Sequence, residues 1–418
     1  MGVTAASHND TLSDRPLSPV STPSVSTPID RWIVERIQAS VASQPIRCVL
    51  WDGFDVGPRH GAVATVSFNT RRALLSCAWH PELYFGEMYT SGAVDVSGDF
   101  VKLMEAIYRR PPPPTRFWQR WQPRNTLRLS RSNVHHHYDI GNEFYRLWLD
   151  RDLVYTCAYF ASQVQGGAAP PIAEMSLEGA QTAKLERVCR KLRLVPGERV
   201  VEARCGWGAL ALHMAKHYGV TVKAFNISTE QIAYARERAR VEDLSRRVEF
   251  IEDDYRNVSG QFEAFVSVGM LEHVGLANFA TLGTVVDRVL TPAGRGLLHF
   301  IGRNRPAPLN PWINRRIFPG AYPPTLHEVC ERVLEPVGLS VLDVENLRLH
   351  YAATLDHWRR RFEQSVDRVR DMFDESFVRA WRLYLSGSEA SFSTGWLQLF
   401  QIVFARGTSN AIPWTRLD

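Results

Sequence analysis

The 418-residue chain has no apolar run approaching the about 20 residues that a membrane-spanning helix needs. Its first thirty residues, MGVTAASHNDTLSDRPLSPVSTPSVSTPID, lack the basic-then-apolar layout of a secretory signal. Gly2 follows Met1, but Ala6 stands where N-myristoylation wants a hydroxyl. Cysteine is scarce and scattered, at 48, 77, 157, 189, 205 and 330, without the paired spacings of a zinc site or the density of a disulfide framework. These absences make the cytoplasm the expected compartment and reduced thiols the expected state. The net charge of +5 is too small to name a partner by itself. With 45% hydrophobic and 22% charged residues, the chain has an ordinary globular composition and the length for two domains.

Composition changes along the chain divide it. Residues 1–28 are rich in Ser, Thr and Pro and read as a disordered lead. Over 29–109, IRCVLWDGF, GAVATVSFN and ALLSCAW read as strands, and SGDFVKLMEAIYR as a helix capped by Ser97 or Asp99, which together make a small α+β domain. The stretch 110–132 opens on four consecutive prolines, and seven arginines lie between Arg109 and Arg131 with Phe117, Trp118 and Trp121 among them. Arginine beside tryptophan suits an anionic, half-apolar partner: phospholipid headgroups or single-stranded nucleic acid. From 133 to 418, helical stretches alternate with strands expected at 198–203, 220–225, 248–252, 264–268, 296–301 and 339–344, and a first helix at 178–193. That alternation predicts a mostly parallel sheet covered on both faces.

In such a sheet the first strand-to-helix turn makes the closest contact with a ligand. VVEARCGWGALALHMA supplies that turn, with Gly206 and Gly208 allowing the backbone to approach closely. The second strand ends VKAFNIS, with no Asp or Glu to take the ribose of a nicotinamide dinucleotide. The polar and aromatic groups of EDDYRNV and VSVGMLEHVG close the next two strands, and the layout favours S-adenosylmethionine.

Seven segments in order, HHYDIGNEFYRLWLDRDLVYTCAYF, CGWGALALHMA, FNISTEQ, DDYRNV, MLEHVG, LLHFIG and LRLHYAATLDHW, resemble the cyclopropane-fatty-acyl-phospholipid synthase family, which includes the mycolic acid cyclopropane synthases. The segment GEMYTSGAVDVSGDFVKLMEAIYR resembles the small lipid-binding domain of the phospholipid-acting members. The resemblance implies a Rossmann-like class I methyltransferase sheet with helices on both faces, preceded by that α+β domain. It implies methyl transfer from S-adenosylmethionine to the cis double bond of an acyl chain, through a carbocation deprotonated by bound bicarbonate. The bicarbonate cradle it implies is Cys157, Glu272, His299, the backbone of Ile301, and Tyr351, with Tyr138 over the reacting carbon. For the cofactor it implies Tyr155, Thr156, Glu202, Gly206, Trp207, Gly208, Asn226, Gln231, Asp254, Tyr255 and Arg256. Its implied partner is the inner membrane face, contacted peripherally, with a homodimer possible and no nucleic acid. Taken singly, Cys157 reads as a small buried hydrophobe and His299 as a core histidine; their joint fit reverses that reading. The consecutive His135, His136 and His137 cannot converge on one ion, so no metal is expected.

One position departs from the family pattern. Where the family loop reads Asp-x-Gly-Cys-Gly-Trp-Gly, this chain reads Glu202-Ala203-Arg204-Cys205-Gly206-Trp207-Gly208. If residue 204 needs a positive φ, its side chain costs about 1–2 kcal/mol. The guanidinium would also repel the donor's sulfonium and ammonium. The expectation is weakened cofactor affinity with real activity. Branching of the acyl chain instead of ring closure, or lipid binding without turnover, are the alternatives.

Overall fold

In a computed structural model, residues 25–109, 140–160 and 175–410 are described. Most of the Ser/Thr/Pro-rich lead, the Pro/Arg/Trp-rich stretch, His135–His137 and Tyr138 lie outside them.

Two sheets organise the molecule. The smaller contains β1 (Ile46–Leu50), β2 (Asp55–Val56), β3 (Ala64–Phe68) and β4 (Val94–Gly98) in the order β2-β1-β3-β4. The first helix, Pro28–Ser40, begins inside the expected lead. Thr27 and Asp30 form a reciprocal capping box there, and the Ser26 amide donates to Asp52 at 2.7 Å. ALLSCAW is a helix, Arg71–Trp79, and not the strand expected from its apolar content. The Thr70 hydroxyl caps it by accepting the Ala73 amide at 3.1 Å. Ala73, Leu74 and Cys77 face the core while Leu75 and Trp79 face outward, a helical rather than an alternating pattern. Of the two caps considered for Phe100–Tyr108, it is Asp99 that accepts the Lys102 amide, at 3.0 Å.

The larger sheet holds β5 (Arg199–Ala203), β6 (Thr221–Asn226), β7 (Val248–Glu252), β8 (Phe262–Val268), β9 (Leu290–Gly302), β10 (Leu339–Asn346) and β11 (Gln398–Arg406), ordered β10-β11-β9-β8-β5-β6-β7. Strands β7, β6, β5, β8 and β9 run parallel. The last strand, which the sequence reading did not assign, inserts antiparallel between β9 and β10. Chain order reverses beside β5, so the crevice opens over the carboxyl ends of β5, β6 and β8.

The two units share a boundary of side chains. Arg379, on the helix Glu375–Ser393, donates to the carbonyls of Tyr89 and Val94 at 2.5 and 2.6 Å. Arg316 reaches Glu87 at 2.5 Å. One apolar cluster runs from Ile46, Val66 and Leu103 to Trp148, Trp358 and Trp381, so the small unit and the aromatic half of the large one are packed as one core. A methyl group on Gly86 would stand 2.4 Å from the Trp312 ring. Gly86→Ala is therefore expected to lower stability by about 1–3 kcal/mol through overpacking, read as a fall in the urea midpoint at unchanged m-value.

Candidate active site

Residue 204 follows β5 directly and has φ +68°, the left-handed conformation that raises the cost of any side chain. The turn continues through Gly206 (φ +55°) and Gly208 (φ +86°) into the helix Ala209–Tyr218. The two glycines serve different ends. A Cβ on Gly206 would meet nothing within 4 Å, whereas one on Gly208 would stand 2.6 Å from Phe250 and 2.9 Å from Ala235. Gly206 thus presents bare backbone to the crevice and Gly208 lets the helix pack on the sheet. Trp207 is buried and donates its indole N–H to Asn142 Oδ1 at 2.7 Å.

At the end of β6, Asn226 donates to Gly206 O at 3.2 Å and to Gln231 Oε1 at 2.7 Å, which joins the second strand to the glycine turn. After β7, Asp254 binds Arg256 through both carboxylate oxygens, at 2.7 and 2.9 Å. The Tyr255 hydroxyl is buried beside them without a hydrogen-bond partner among the described residues, and burial raises its pKa. Glu202 is buried at the tip of β5. Loss of solvation lifts its pKa to about 8 against the pull of Lys184, so it is largely protonated at neutral pH. These residues line adjacent strand ends.

A second group assembles at the ends of β8 and β9. Glu272, in the short helix Leu271–Val274, accepts the Ile301 amide through Oε1, and its backbone carbonyl accepts the Tyr322 amide at 2.7 Å. Burial lifts its pKa to about 7, opposed by the Ile301 amide and by Arg204. His299 sits opposite Gln401 in the β9–β11 register, with Gln401 Nε2 3.0 Å from its Nδ1. Burial lowers its pKa to about 3, so the ring is neutral; with Gln401 donating, the imidazole proton rests on Nε2. Cys157 is fully buried, desolvation pushes its thiol far up, and its S–H donates to the Ala158 carbonyl at 3.1 Å. Two atoms of this group, Glu272 Oε2 and His299 Nε2, are buried with no hydrogen-bond partner among the described residues. The first can accept a hydrogen bond and the second can donate one. The Ile301 N–H, in contrast, is already taken by Glu272.

A chain of aromatic rings runs from the glycine turn to the helix Arg348–Gln364. From Trp207 the contacts pass to Tyr145 at 5.1 Å, to Tyr155 at 5.5 Å, to Trp358 at 5.3 Å and to Tyr351 at 5.9 Å, with Trp148 packed on Tyr145, Tyr155 and Trp358. Packed rings of this kind keep water out, and a ring face stabilises a positive charge placed over it.

The sequence reading missed several participants. Gln401 lies on the unassigned strand. Gln181 and Lys184 occupy buried positions of the helix Leu177–Leu192, and their signal was two polar residues inside an apolar helical stripe. Tyr145, Trp148 and Trp358 lie inside two of the motifs that carry the resemblance, which by themselves give them no individual role.

The model of the family described as mycolic acid cyclopropane synthetase matches residues 125–402. The chain belongs to that family. It is an S-adenosylmethionine-dependent methyltransferase. A probable fatty acid methyltransferase of Pseudomonas putida is 34% identical over 398 residues, 90% of this chain and 96% of that protein. The cyclopropane-fatty-acyl-phospholipid synthase of Escherichia coli strain K12 is 39% identical over 281 residues, 67% of this chain and 69% of that one. Among solved structures, the cyclopropane synthase MmaA2 of Mycobacterium tuberculosis superposes with a TM-score of 0.61 at 28% identity, covering 69% of this chain and all of that one. The synthase CmaA1, solved with SAH and CTAB, gives 0.60 at 27% identity over 66% of this chain and 97% of that one.

Within this family member, Arg204 Nη1 donates to the Gly269 carbonyl at 2.8 Å, bridging the mouth of the crevice from β5 to the end of β8. A strand-end carbonyl is an acceptor for any cationic donor, and the guanidinium already occupies this one, as a competitor to a ligand ammonium would. Arg204→Gly removes both the competitor and the left-handed strain. It is expected to bind S-adenosylhomocysteine more tightly, by about tenfold for 1.4 kcal/mol, measured by calorimetry. Equal dissociation constants would overturn that expectation.

Proposed function

We propose that this enzyme transfers a methyl group from S-adenosylmethionine to the cis double bond of an unsaturated phospholipid acyl chain and closes a cyclopropane ring. The observation that carries the reading is that Glu272 Oε2 and His299 Nε2, at neighbouring strand ends, are both buried and lack partners among the described residues. An alkene is a weak nucleophile, so the donor must be a sulfonium held at short range in a water-free site. Methyl transfer to one alkene carbon releases S-adenosylhomocysteine and leaves a cation on the other carbon. Loss of a proton from the transferred methyl closes the ring.

When bound, bicarbonate supplies the base for that proton. His299 Nε2–H would donate to it, Cys157 S–H would do so on turning from the Ala158 carbonyl, Glu272 would accept its hydroxyl, and Tyr351, whose ring lies 4.5 Å from Phe392, would close the pocket. The rings of Tyr145, Tyr155, Trp148 and Trp358 would stabilise the cation until the proton leaves. Asn226, Gln231, Asp254, Tyr255 and Arg256 would take the adenosine end, because Glu272 and His299 lie toward β8 and β9, on the other side of β5, where the methyl must emerge. Tyr155 and Thr156 border the methyl.

A second reading has a specific basis: relatives matched over most of both chains include the Pseudomonas putida protein and a tuberculostearic acid methyltransferase of Mycobacterium tuberculosis, 30% identical over 92% of this chain. A hydride shift before proton loss leaves a methylene branch in place of the ring. Labelled S-adenosylmethionine, bicarbonate and vesicles of cis-unsaturated phospholipid separate the outcomes. Upfield ring protons in the NMR spectrum of the acyl chains are expected; exomethylene signals of the same added mass would establish branching, and no incorporation would refute both.

The substrate implies contact with a bilayer. No helix among the described residues is long and apolar enough to cross one. Two helices of the small unit instead carry outward stripes at helical spacing: Ile29, Trp32 and Arg36 on one, Arg72, Leu75 and Trp79 on the other. Trp79 is 81% and Trp32 56% exposed, and Arg36 lies over the Trp32 ring at 5.4 Å. Exposed indole with arginine suits an anionic interface. Replacing Trp32 and Trp79 together by Ser is expected to reduce co-sedimentation with anionic phospholipid vesicles at least about fivefold, leaving S-adenosylhomocysteine affinity unchanged. Unchanged sedimentation would exclude this face.

A further inference from the structure

The pocket groups named above are a carboxyl, a neutral imidazole, a thiol and a phenol, and none is cationic at neutral pH. Behind them stands a buried cation that neither the sequence reading nor the proposed reaction uses. Lys184 is 2% exposed, in the middle of the apolar stripe of the helix Leu177–Leu192. Its Nζ donates to Thr156 Oγ1 at 2.9 Å. An ammonium has three N–H groups, and among the described residues this is the one hydrogen bond that Lys184 makes.

Three residues earlier on the same face, Gln181 Nε2 donates to the carbonyls of Thr156 and Val154 at 2.9 and 3.2 Å. One helix thus holds both the hydroxyl and the backbone of the residue preceding Cys157. On the opposite side, a Cβ on Gly269 would stand 3.0 Å from Thr156 Cγ2, so Thr156 is packed between Lys184 and the end of β8. Burial draws the Lys184 pKa down to about 8, while Asp150, Cys157 and Glu202 hold it up. Its charge acts in turn on Cys157, Glu202 and His299.

A small anion placed next to Glu272 in a water-free pocket meets a desolvation penalty that grows with each like charge. A fixed ammonium one residue behind the thiol offsets it. We propose that Lys184 is a positioning residue that fixes Thr156 and Cys157 and supplies the buried positive charge enabling the pocket of Cys157, Glu272 and His299 to hold an oxyanion. The inference rests on the bicarbonate reading above.

The test uses the full-length protein and its Lys184→Met variant, with thermal unfolding followed in sodium bicarbonate and in sodium chloride of equal ionic strength. S-adenosylhomocysteine serves as the control ligand. Bicarbonate is expected to raise the Tm of the wild type and not that of Lys184→Met, while S-adenosylhomocysteine raises both. In turnover, the bicarbonate concentration for half-maximal rate should rise at least about tenfold in the variant, by a larger factor than KM for S-adenosylmethionine, which Thr156 borders. A merely structural lysine would lower Tm and kcat without moving that half-saturation. If Lys184→Met gives no response to S-adenosylhomocysteine, Lys184→Gln, which keeps a donor without the charge, carries the same expectation. A variant that keeps the wild-type bicarbonate response overturns the role of Lys184. A wild type with no bicarbonate response in either measurement overturns the anion pocket itself.

Discussion

The carboxylate of Glu272 accepts the amide of Ile301, and this one contact ties the loop after β8 to the end of β9. It orients a buried carboxyl that would otherwise have no reason to be ionised. Around it, the Gly269 amide donates to the His299 carbonyl at 2.8 Å and the Tyr322 amide to the Glu272 carbonyl. Loss of the carboxylate would leave the Ile301 N–H without this acceptor, at a cost of about 1–3 kcal/mol for a buried amide. The glycine turn feels the same contact, because Arg204 reaches across to Gly269, three residues before Glu272.

Dryness is the second constraint, and it sets the direction in which five buried groups of the site titrate. Burial keeps His299 neutral, holds the proton on Cys157, lifts Glu272 and Glu202 toward neutral pH and draws Lys184 down. A cation formed here would meet ring faces and few water molecules. Such burial is costly to the fold, and the continuous apolar core that joins the small unit to Trp148, Trp358 and Trp381 offsets it. The small unit is therefore part of what keeps the pocket closed to solvent, in addition to any contact it makes with lipid.

Arg204 illustrates how local and distant effects combine. Its positive φ follows from the turn between β5 and the following helix, a feature of the backbone path that glycine would meet without strain. Its side chain, however, has a destination in the Gly269 carbonyl, which recovers part of the cost in the form of a hydrogen bond from a charged donor. The result is a turn more rigid, and more positive, than the glycine version.

Much of this was legible in the sequence by itself. The alternation of helices and strands, the glycine turn, the polar ends of β6 and β7 and the ordered motifs rest on short-range periodicity and spacing, which the chain carries locally. Other features exist only after folding. β11 inserts between β9 and β10, and only that register sets Gln401 against His299, 102 residues away in sequence. Lys184 and Gln181 are two polar residues on a helix until packing buries them beneath Thr156. The helix Arg71–Trp79 was misread because apolar content outweighed the single cap at Thr70, and its true pattern shows only against the core that it faces. Spacing along the chain fixes which residues can share a face. Which faces meet is decided by pairing register and burial, which depend on the whole fold.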